Sequence, residues 1–501
     1  MYEHRDVLII GAGLAGIGAA CHLSSQLPGK SFAILEAREG LGGTWDLFRY
    51  PGIRSDSSMY AMAYSFKPWP TQTVIAPGES IREYIREAAV EYGVAEKIRY
   101  GHRVVGAEWD SETARWTIDV ELLATDDRVK LTCSFLHFCT GYYRYDAGFT
   151  PDFAGRDRYR GQIVHPQHWT EDIDFAGKRV VVIGSGATAV TVVPAMAETA
   201  EHVTMVQRSP GYMISLPALD TSIDRWRRLL PRRAAYSFVR AKVLVLMVLF
   251  YQLSRRRPEM MKSVIRKGVE SQLPEGYDVD THFTPRYQPW DQRVCVVPDG
   301  DLFVALGSGR ASIVTDQIDS FTETGLRLAS GDELEADIIV TATGLNLELF
   351  GGVELVVDGR EISISDLVTY KGMMYSGLPN LALMIPYGNS AWTLKADLVA
   401  RYVCRLLRYM DERGYDYCMP LDPGPGQRRA PLLNLMSGYV MRSLNQLPKQ
   451  AERSPWRVHQ NYFLDLKMLR RASLEDEGIR FGRAKRRAPR SPSPAEAARP
   501  L

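Results

Sequence analysis

Two glycine-rich turns carry the most legible chemistry in this chain. Gly11-Ala-Gly13-Leu-Ala15-Gly16 and Gly184-Ser185-Gly186-Ala187-Thr188-Ala189 share a spacing that brings a pyrophosphate to the backbone and lays it on a helix N-terminus. Gly11 allows the tight turn, Gly13 the close approach of phosphate and Gly16 the packing of helix on strand; Ala189 in the third position is an accepted variant. The residues beyond each turn decide which nucleotide it holds. Glu36, 20 positions beyond Gly16, stands where a carboxylate accepts hydrogen bonds from a ribose. The second turn leads to Gln207-Arg208-Ser209 and no acid. An acid there would repel a 2′-phosphate, whereas Arg208 pairs with one through a fork of charged donors. The first turn therefore predicts a dinucleotide site and the second a preference for NADPH.

The elements around the turns suit that role. Asp6-Val-Leu-Ile-Ile10, Phe32–Leu35, Arg179–Ile183 and His202–Val206 are short apolar runs of buried parallel strands, and a helical pattern comes after each turn. A helix is expected around Ile81–Tyr92, and His102–Trp109 and Arg115–Val120 alternate as hairpin strands do. Phe135–Cys139 and Ala336–Val340 are further buried strands, ending in Thr140-Gly141 and Thr343-Gly344. Gly388-Asn-Ser390 opens a long helical pattern through Tyr409, with Ser390 as its expected cap. The fold class is α/β, with two Rossmann-like dinucleotide-binding domains.

Composition narrows the partners. The chain has 501 residues, enough for more than one domain, and its net charge of +2 gives no reason to expect nucleic acid. Six scattered cysteines, without C-x-x-C or Cys/His pairing, argue against a metal site, a disulfide scaffold or a redox dithiol and suit a cytoplasmic enzyme. No leader pattern precedes the first strand. Two nucleotide sites with no dithiol between them imply a flavoprotein that NADPH reduces directly.

Between the turns lies Tyr159-Arg-Gly161-Gln-Ile-Val-His165-Pro-Gln-His-Trp169-Thr170. It resembles the F-x-G-x-x-x-H-x-x-x-W-(P/D) fingerprint of type I Baeyer–Villiger monooxygenases, with Tyr159 for Phe and Thr170 for the final Pro or Asp. Gly42-Gly43-Thr44-Trp45-Asp46-Leu47-Phe-Arg-Tyr50-Pro-Gly52-Ile-Arg54-Ser55-Asp56 resembles the longer pattern G-G-x-W-x-x-x-x-(F/Y)-P-G-x-x-x-D of that family at every specified position. The resemblance runs to about residue 480 and is strongest to the bacterial ethionamide-activating, FAD-containing group of these class B flavin monooxygenases.

The resemblance implies a set of sites. FAD would lie on Gly11, Gly13, Ala15, Gly16 and Glu36, along Gly43, Thr44, Trp45, Asp46, Leu47, Arg54, Ser55 and Asp56, and against the backbone of Val104. NADPH would lie on Gly184–Ala189, Gln207 and Arg208. Arg293 matches the active-site arginine and Asp56 its partner near the flavin ring. The implied reaction passes a hydride from NADPH to FAD, adds O2 at C4a and lets the peroxyflavin attack a ketone, giving an ester or lactone. A guanidinium at Arg293 stabilises that anion without donating its proton. S-oxygenation of thioethers or thioamides is a companion activity.

Two alternatives stand beside this reading. A flavin-containing monooxygenase acting on nitrogen or sulfur is one; Trp169 and the Gly42–Asp56 pattern favour the Baeyer–Villiger side. The other is a membrane-associated flavin-binding protein, which would not need Arg293 and Asp56. The expected division is an FAD-binding domain from 1–145 and 376–482, an NADPH-binding domain from 146–215 and 301–375, a helical insert at 216–300 and a disordered basic tail at 483–501. Within the insert, Val243–Phe250 is far shorter than the roughly 20 apolar residues of a spanning helix. Packing on the active site is the favoured reading. Peripheral contact with an anionic membrane through 221–267 is the second, since opposite helix faces can serve both.

Overall fold

In the computed structural model, which describes residues 2–433 and 435–484, the apolar runs become the inner strands of two sheets. Strands covered on both faces need unbroken apolar sequence, and Val7–Ile10, Phe32–Leu35 and Val180–Ile183 are buried throughout. The first sheet has nine strands. In its parallel part Asp127–Phe138 lies beside Glu3–Ile10, Glu3–Ile10 beside Phe32–Leu35, and Phe32–Leu35 beside Ile98–Arg99; Leu381–Leu383 returns late in the chain to pair with Asp127–Phe138. In its antiparallel part His102–Asp110 and Arg115–Leu122 form the expected hairpin, and Asp127–Phe138 extends it into a meander.

The second sheet has five parallel strands in the order Ala311–Thr315, His202–Gln207, Arg179–Ile183, Ile338–Thr341, Gln162–Val164. The expected α/β fold with two Rossmann-like sheets is what the chain forms.

One boundary moves. Residues 354–361 fall before the expected switch at 375, yet they extend the first sheet, with Glu354–Val357 pairing with Gly106–Trp109. The chain crosses back earlier because Leu347, Leu349, Phe350 and Val353 bury themselves in the core beneath that sheet. The long late helix runs from Trp392 to Arg413, and its cap is Ala391 with no side-chain hydrogen bond. Ser390 therefore does not cap it. The preceding loop is tied elsewhere: Gly388 N donates to Gln460 Oε1 at 2.8 Å and Asn389 Nδ2 to the Gln460 carbonyl at 3.1 Å.

The insert is framed by paired strands Met213–Leu216 and Cys295–Pro298 and contains helices Ser222–Leu229, Arg232–Arg256 and Pro258–Glu270. The middle helix extends well beyond the Val243–Phe250 run. Its 25 residues are long and apolar enough to cross a membrane by length and composition, and 22% of its apolar window is buried. Ala235, Tyr236, Val239 and Leu244 supply its buried face. Of the expected disordered tail, residues 485–501 lie outside the described residues.

Candidate active site

The first glycine turn closes against the Gly42–Asp56 loop. Gly43 has φ +58°, and a Cβ there would sit 3.0 Å from Gly13 Cα, so the two backbones meet closely. Gly42 N donates to the Ala12 carbonyl at 3.0 Å. Behind the turn, Glu36 is buried and accepts from Ala12 N at 2.7 Å and Arg38 N at 2.9 Å. Burial raises its pKa, and those two N–H groups oppose the rise. Gly16 and Ala15 lie in the first turns of the helix Leu14–Gln26, whose N-terminus opens toward the loop.

The loop residues divide by role. Trp45 and Leu47 pack against the cores of the two halves. Thr44 hydrogen-bonds Tyr145. The carboxylate of Asp46 is taken by three guanidinium groups, Arg38 at 2.8 Å, Arg49 at 2.9 Å and Arg82 at 3.3 Å. Ser55 is buried, and its hydroxyl accepts from Ala76 N at 3.0 Å. Val104 is a buried strand residue facing Val120, next to an irregularity in the pairing before Gly106.

The same loop straps the two halves together. Phe48 and Tyr50 are buried in the core of the five-stranded unit beside Trp169, Val190 and Val193. Tyr50 hydrogen-bonds Thr188 in the second nucleotide turn, and Arg54 forms an ion pair with Asp301. Gly52, at φ +74°, brings the loop so close that a Cβ there would meet Ala195 Cβ at 2.8 Å. The linking histidine bonds the return strand: His165 Nε2 lies 3.2 Å from the Gly344 carbonyl. Burial keeps its pKa below the ordinary histidine value, so the ring is neutral at neutral pH.

The second turn presents free groups. Ala189 is buried, but a Cβ on Gly186 would meet nothing within 4 Å, and Gly186 and Ala187 are exposed. Ser185 Oγ donates to the Ser209 carbonyl at 3.1 Å. Gln207 turns inward, donating to the His282 carbonyl at 2.8 Å and Thr315 Oγ1 at 2.9 Å. Arg208 is exposed and has no ion pair among the described residues.

Between the halves, Arg293 reaches both expected and unexpected partners. Its Nη1 lies 3.5 Å from Asp56 Oδ2, and its Nη2 donates to Tyr142 Oη at 3.2 Å. Tyr142 and Tyr143 have their hydroxyls 3.2 Å apart, and the Tyr142 ring lies 4.7 Å from Trp392. Burial works against the charge of Arg293, and the pull of Tyr439, Tyr142, Tyr143 and Asp56 outweighs it, so the guanidinium is a fixed cation. Burial likewise holds the Tyr142 phenol protonated, and pushes Tyr143 up to about 12. Arg293 Nε is buried without a partner.

The structure therefore fits two nucleotides and an anion. A buried orphan donor on Arg293, an open glycine turn at Gly186 and an unpaired Arg208 are the features such ligands satisfy. The aromatic wall of Tyr142, Tyr143 and Trp392, and Tyr145 beside Thr44, are not among the site residues expected from the sequence. Their signal was there: three tyrosines come directly after Thr140-Gly141, just beyond the carboxyl end of a parallel strand, where open α/β sheets bind ligands.

Residues 4–411 match the family model described as FMO-like, flavin-binding monooxygenase-like. The chain is 51% identical over 490 residues to the FAD-containing monooxygenase EthA of Mycobacterium tuberculosis, covering 98% of this chain and 99% of that one. It is 50% identical over 482 residues to EthA of Mycolicibacterium smegmatis, covering 96% and 98%. Among solved structures it is similar to an oxidized steroid monooxygenase bound to NADP, with a TM-score of 0.70, 25% identity and coverage of 84% of this chain and 88% of that chain.

Proposed function

The chain belongs to the flavin-binding monooxygenase-like family, and on that premise we propose that it is a Baeyer–Villiger enzyme converting ketones to esters or lactones. It is an FAD- and NADPH-dependent monooxygenase. When bound, the flavin would carry electrons from NADPH to O2 and activate it, so that one oxygen atom goes to the substrate and the other to water.

The chain's own residues account for binding and charge. In this reading the nine-stranded unit holds FAD, with its pyrophosphate at Gly11–Gly16, a ribose at Glu36, the adenine against the Val104 backbone and the Gly43–Asp56 loop along the rest. The five-stranded unit holds NADPH at Gly184–Ala189, with Arg208 on the 2′-phosphate. The strap of Tyr50, Gly52 and Arg54 keeps the two sites docked.

The observation that carries the Baeyer–Villiger reading is the environment of Arg293. Attack on a carbonyl builds negative charge on oxygen, and a fixed cation with donors already aimed stabilises it at no reorganisation cost. Asp56 and Tyr142 restrain two of the guanidinium nitrogens, and the unpartnered Nε remains for the reacting oxygen. S-oxygenation is a second activity of the same pocket. Oxygen transfer to a thioether or thioamide needs a proton delivered to the departing oxygen, and the protonated phenols of Tyr142 and Tyr143 stand beside Arg293 to give one. Six free, buried thiols support placement in a reducing cytoplasm.

The test supplies the FAD-loaded protein with NADPH, isotopically labelled oxygen gas and phenylacetone or a long-chain ketone. Labelled ester in proportion to NADPH consumed supports the reading. Hydrogen peroxide alone, whatever ketone or thioether is present, refutes oxygen insertion. Label found only in sulfoxide or amine oxide moves the assignment to heteroatom oxygenation.

A further inference from the structure

We infer that the outer face of the helix Arg232–Arg256 is a docking surface for an anionic lipid bilayer, on which the enzyme lies without spanning it. The inner face of this helix is fixed to the body over the active site. Tyr236 meets Tyr60 edge to face at 5.6 Å, Arg240 Nη1 donates to the Ala63 carbonyl at 2.8 Å, and Tyr251 meets Trp290 at 5.6 Å. Those contacts fall on the segments that carry Asp56 and Arg293.

Among the described residues, the outer face is largely uncovered, with Trp226 packing on Phe238 at one end. Phe238, Val245, Leu246, Leu249 and Leu253 form one stripe at helical spacing, with Leu246 54% and Leu249 50% exposed. Leu229 and Leu230 precede the stripe, and Met260 and Val264 continue it on the next helix. Among the described residues, nine of the twenty large exposed apolar side chains thus fall between residues 229 and 264. Single exposed apolar side chains are ordinary; a cluster of them marks a contact surface.

Charge names the occupant. From Thr221 to Lys267 the chain has thirteen Lys or Arg against two Asp or Glu, in a protein whose net charge is +2. Arg232, Arg233, Lys242, Arg256 and Arg257 have no ion pair among the described residues. They bracket the stripe at both ends and, at Lys242, interrupt it, with stems long enough to keep their charges at headgroup level. Anionic lipid satisfies both features, each basic residue near such a surface contributing about 1 kcal/mol. A second copy docked on the same face would set these five unpaired cations against their own counterparts. A span would bury Arg240 and Lys242 near mid-helix in hydrocarbon and tear the inner face from the protein.

The experiment floats the full-length, FAD-loaded enzyme with vesicles of phosphatidylcholine alone or mixed equally with phosphatidylglycerol. Binding is expected to the mixed vesicles and to weaken with salt. Leu246→Glu with Leu249→Glu should cut the bound fraction at least about tenfold, since two inserted leucines are lost. Flavin content and NADPH oxidation should stay at wild-type values, and Leu123→Glu, on a distant hairpin, should float as wild type does. NADPH oxidation, read in the same samples, separates failure of docking from failure of the oxygenase reading. Equal flotation of the double variant, or equal loss in Leu123→Glu, overturns the proposal. A dimer in sedimentation that the double variant dissolves, with no vesicle binding by either, assigns the face to a second copy. Resistance of the cell-membrane-bound enzyme to alkaline carbonate extraction assigns a span.

Discussion

The Arg293 guanidinium donates through Nη2 to the phenol of Tyr142 at 3.2 Å, joining residues 151 positions apart. Asp56 holds a second nitrogen at 3.5 Å, and Trp392 backs the Tyr142 ring. The two partners make different demands on the cation. Arg293→Ala removes the charge itself and should lower ester formation by about two to three orders of magnitude, while NADPH is still oxidised and peroxide appears. Tyr142→Phe keeps the ring and loses one hydrogen bond to a charged group, worth roughly 1.5–3 kcal/mol. It should lower kcat/KM for the ketone about tenfold or more and leave flavin content unchanged. Ester per NADPH, measured for both variants, is the readout; full coupling in Arg293→Ala would remove the arginine from the reaction.

Arg208 supplies the cleanest test of nicotinamide choice. It is exposed and unpaired, so nothing in the fold depends on it. Arg208→Ala should raise KM for NADPH by about one to two orders of magnitude, the loss of charge-assisted hydrogen bonds worth ~1.5–3 kcal/mol. KM for NADH should hardly move. Parallel rises for both cofactors would show that the side chain does not meet the 2′-phosphate.

What the sequence revealed and what it hid have different physical causes. The strands and the two turns were legible because burial on both faces and backbone approach to phosphate demand particular residues at fixed spacing: Val7–Ile10 could be little else, and Gly13 meets Gly43 backbone to backbone. Arg293 and Asp56 were found through family patterns alone. Tyr142, Tyr143 and Trp392 were not, because their meeting with Arg293 depends on three distant segments packing together; the tyrosines' place beyond a strand end marks a ligand site and not those partners. The strap was hidden for the same reason: Tyr50-Pro-Gly52 reads as a turn, while in the structure it packs one half against the other. The full length of the helix Arg232–Arg256 is not legible from the Val243–Phe250 run, because the apolar residues that extend it are scattered among polar ones.

The strap gives a third prediction. Gly52 has φ +74° and would place a Cβ 2.8 Å from Ala195 Cβ. A valine there meets both a disfavoured backbone conformation, costing about 1–3 kcal/mol, and a helix that cannot retreat without disturbing the core around Val190 and Val193. Gly52→Val should melt several degrees below wild type and show a raised KM for NADPH, because the two sites no longer dock in register. Wild-type melting with a wild-type KM would mean that the loop is not held against the helix.

Acid should weaken the first half through His137. This residue lies on the strand Asp127–Phe138, is 3% exposed and has a buried Nδ1 without a partner. Burial lowers its pKa from 6.5 to about 4. The unfolded chain therefore takes up a proton near pH 6.5 that the folded chain refuses until about pH 4. Between these values the unfolded state binds more protons, and stability rises with pH. The contribution is fully present above pH 6.5 and is lost as pH falls toward 4, to a limit of about 3 kcal/mol. His137→Gln does not titrate, so its urea midpoint, monitored by flavin release, should fall less steeply across that window by up to one proton. His4 and His165, also lowered by burial, keep a residual slope in the variant. Superimposable pH profiles for wild type and His137→Gln would show that His137 already carries its proton in the folded protein, and that burial there is not dry enough to hold it neutral.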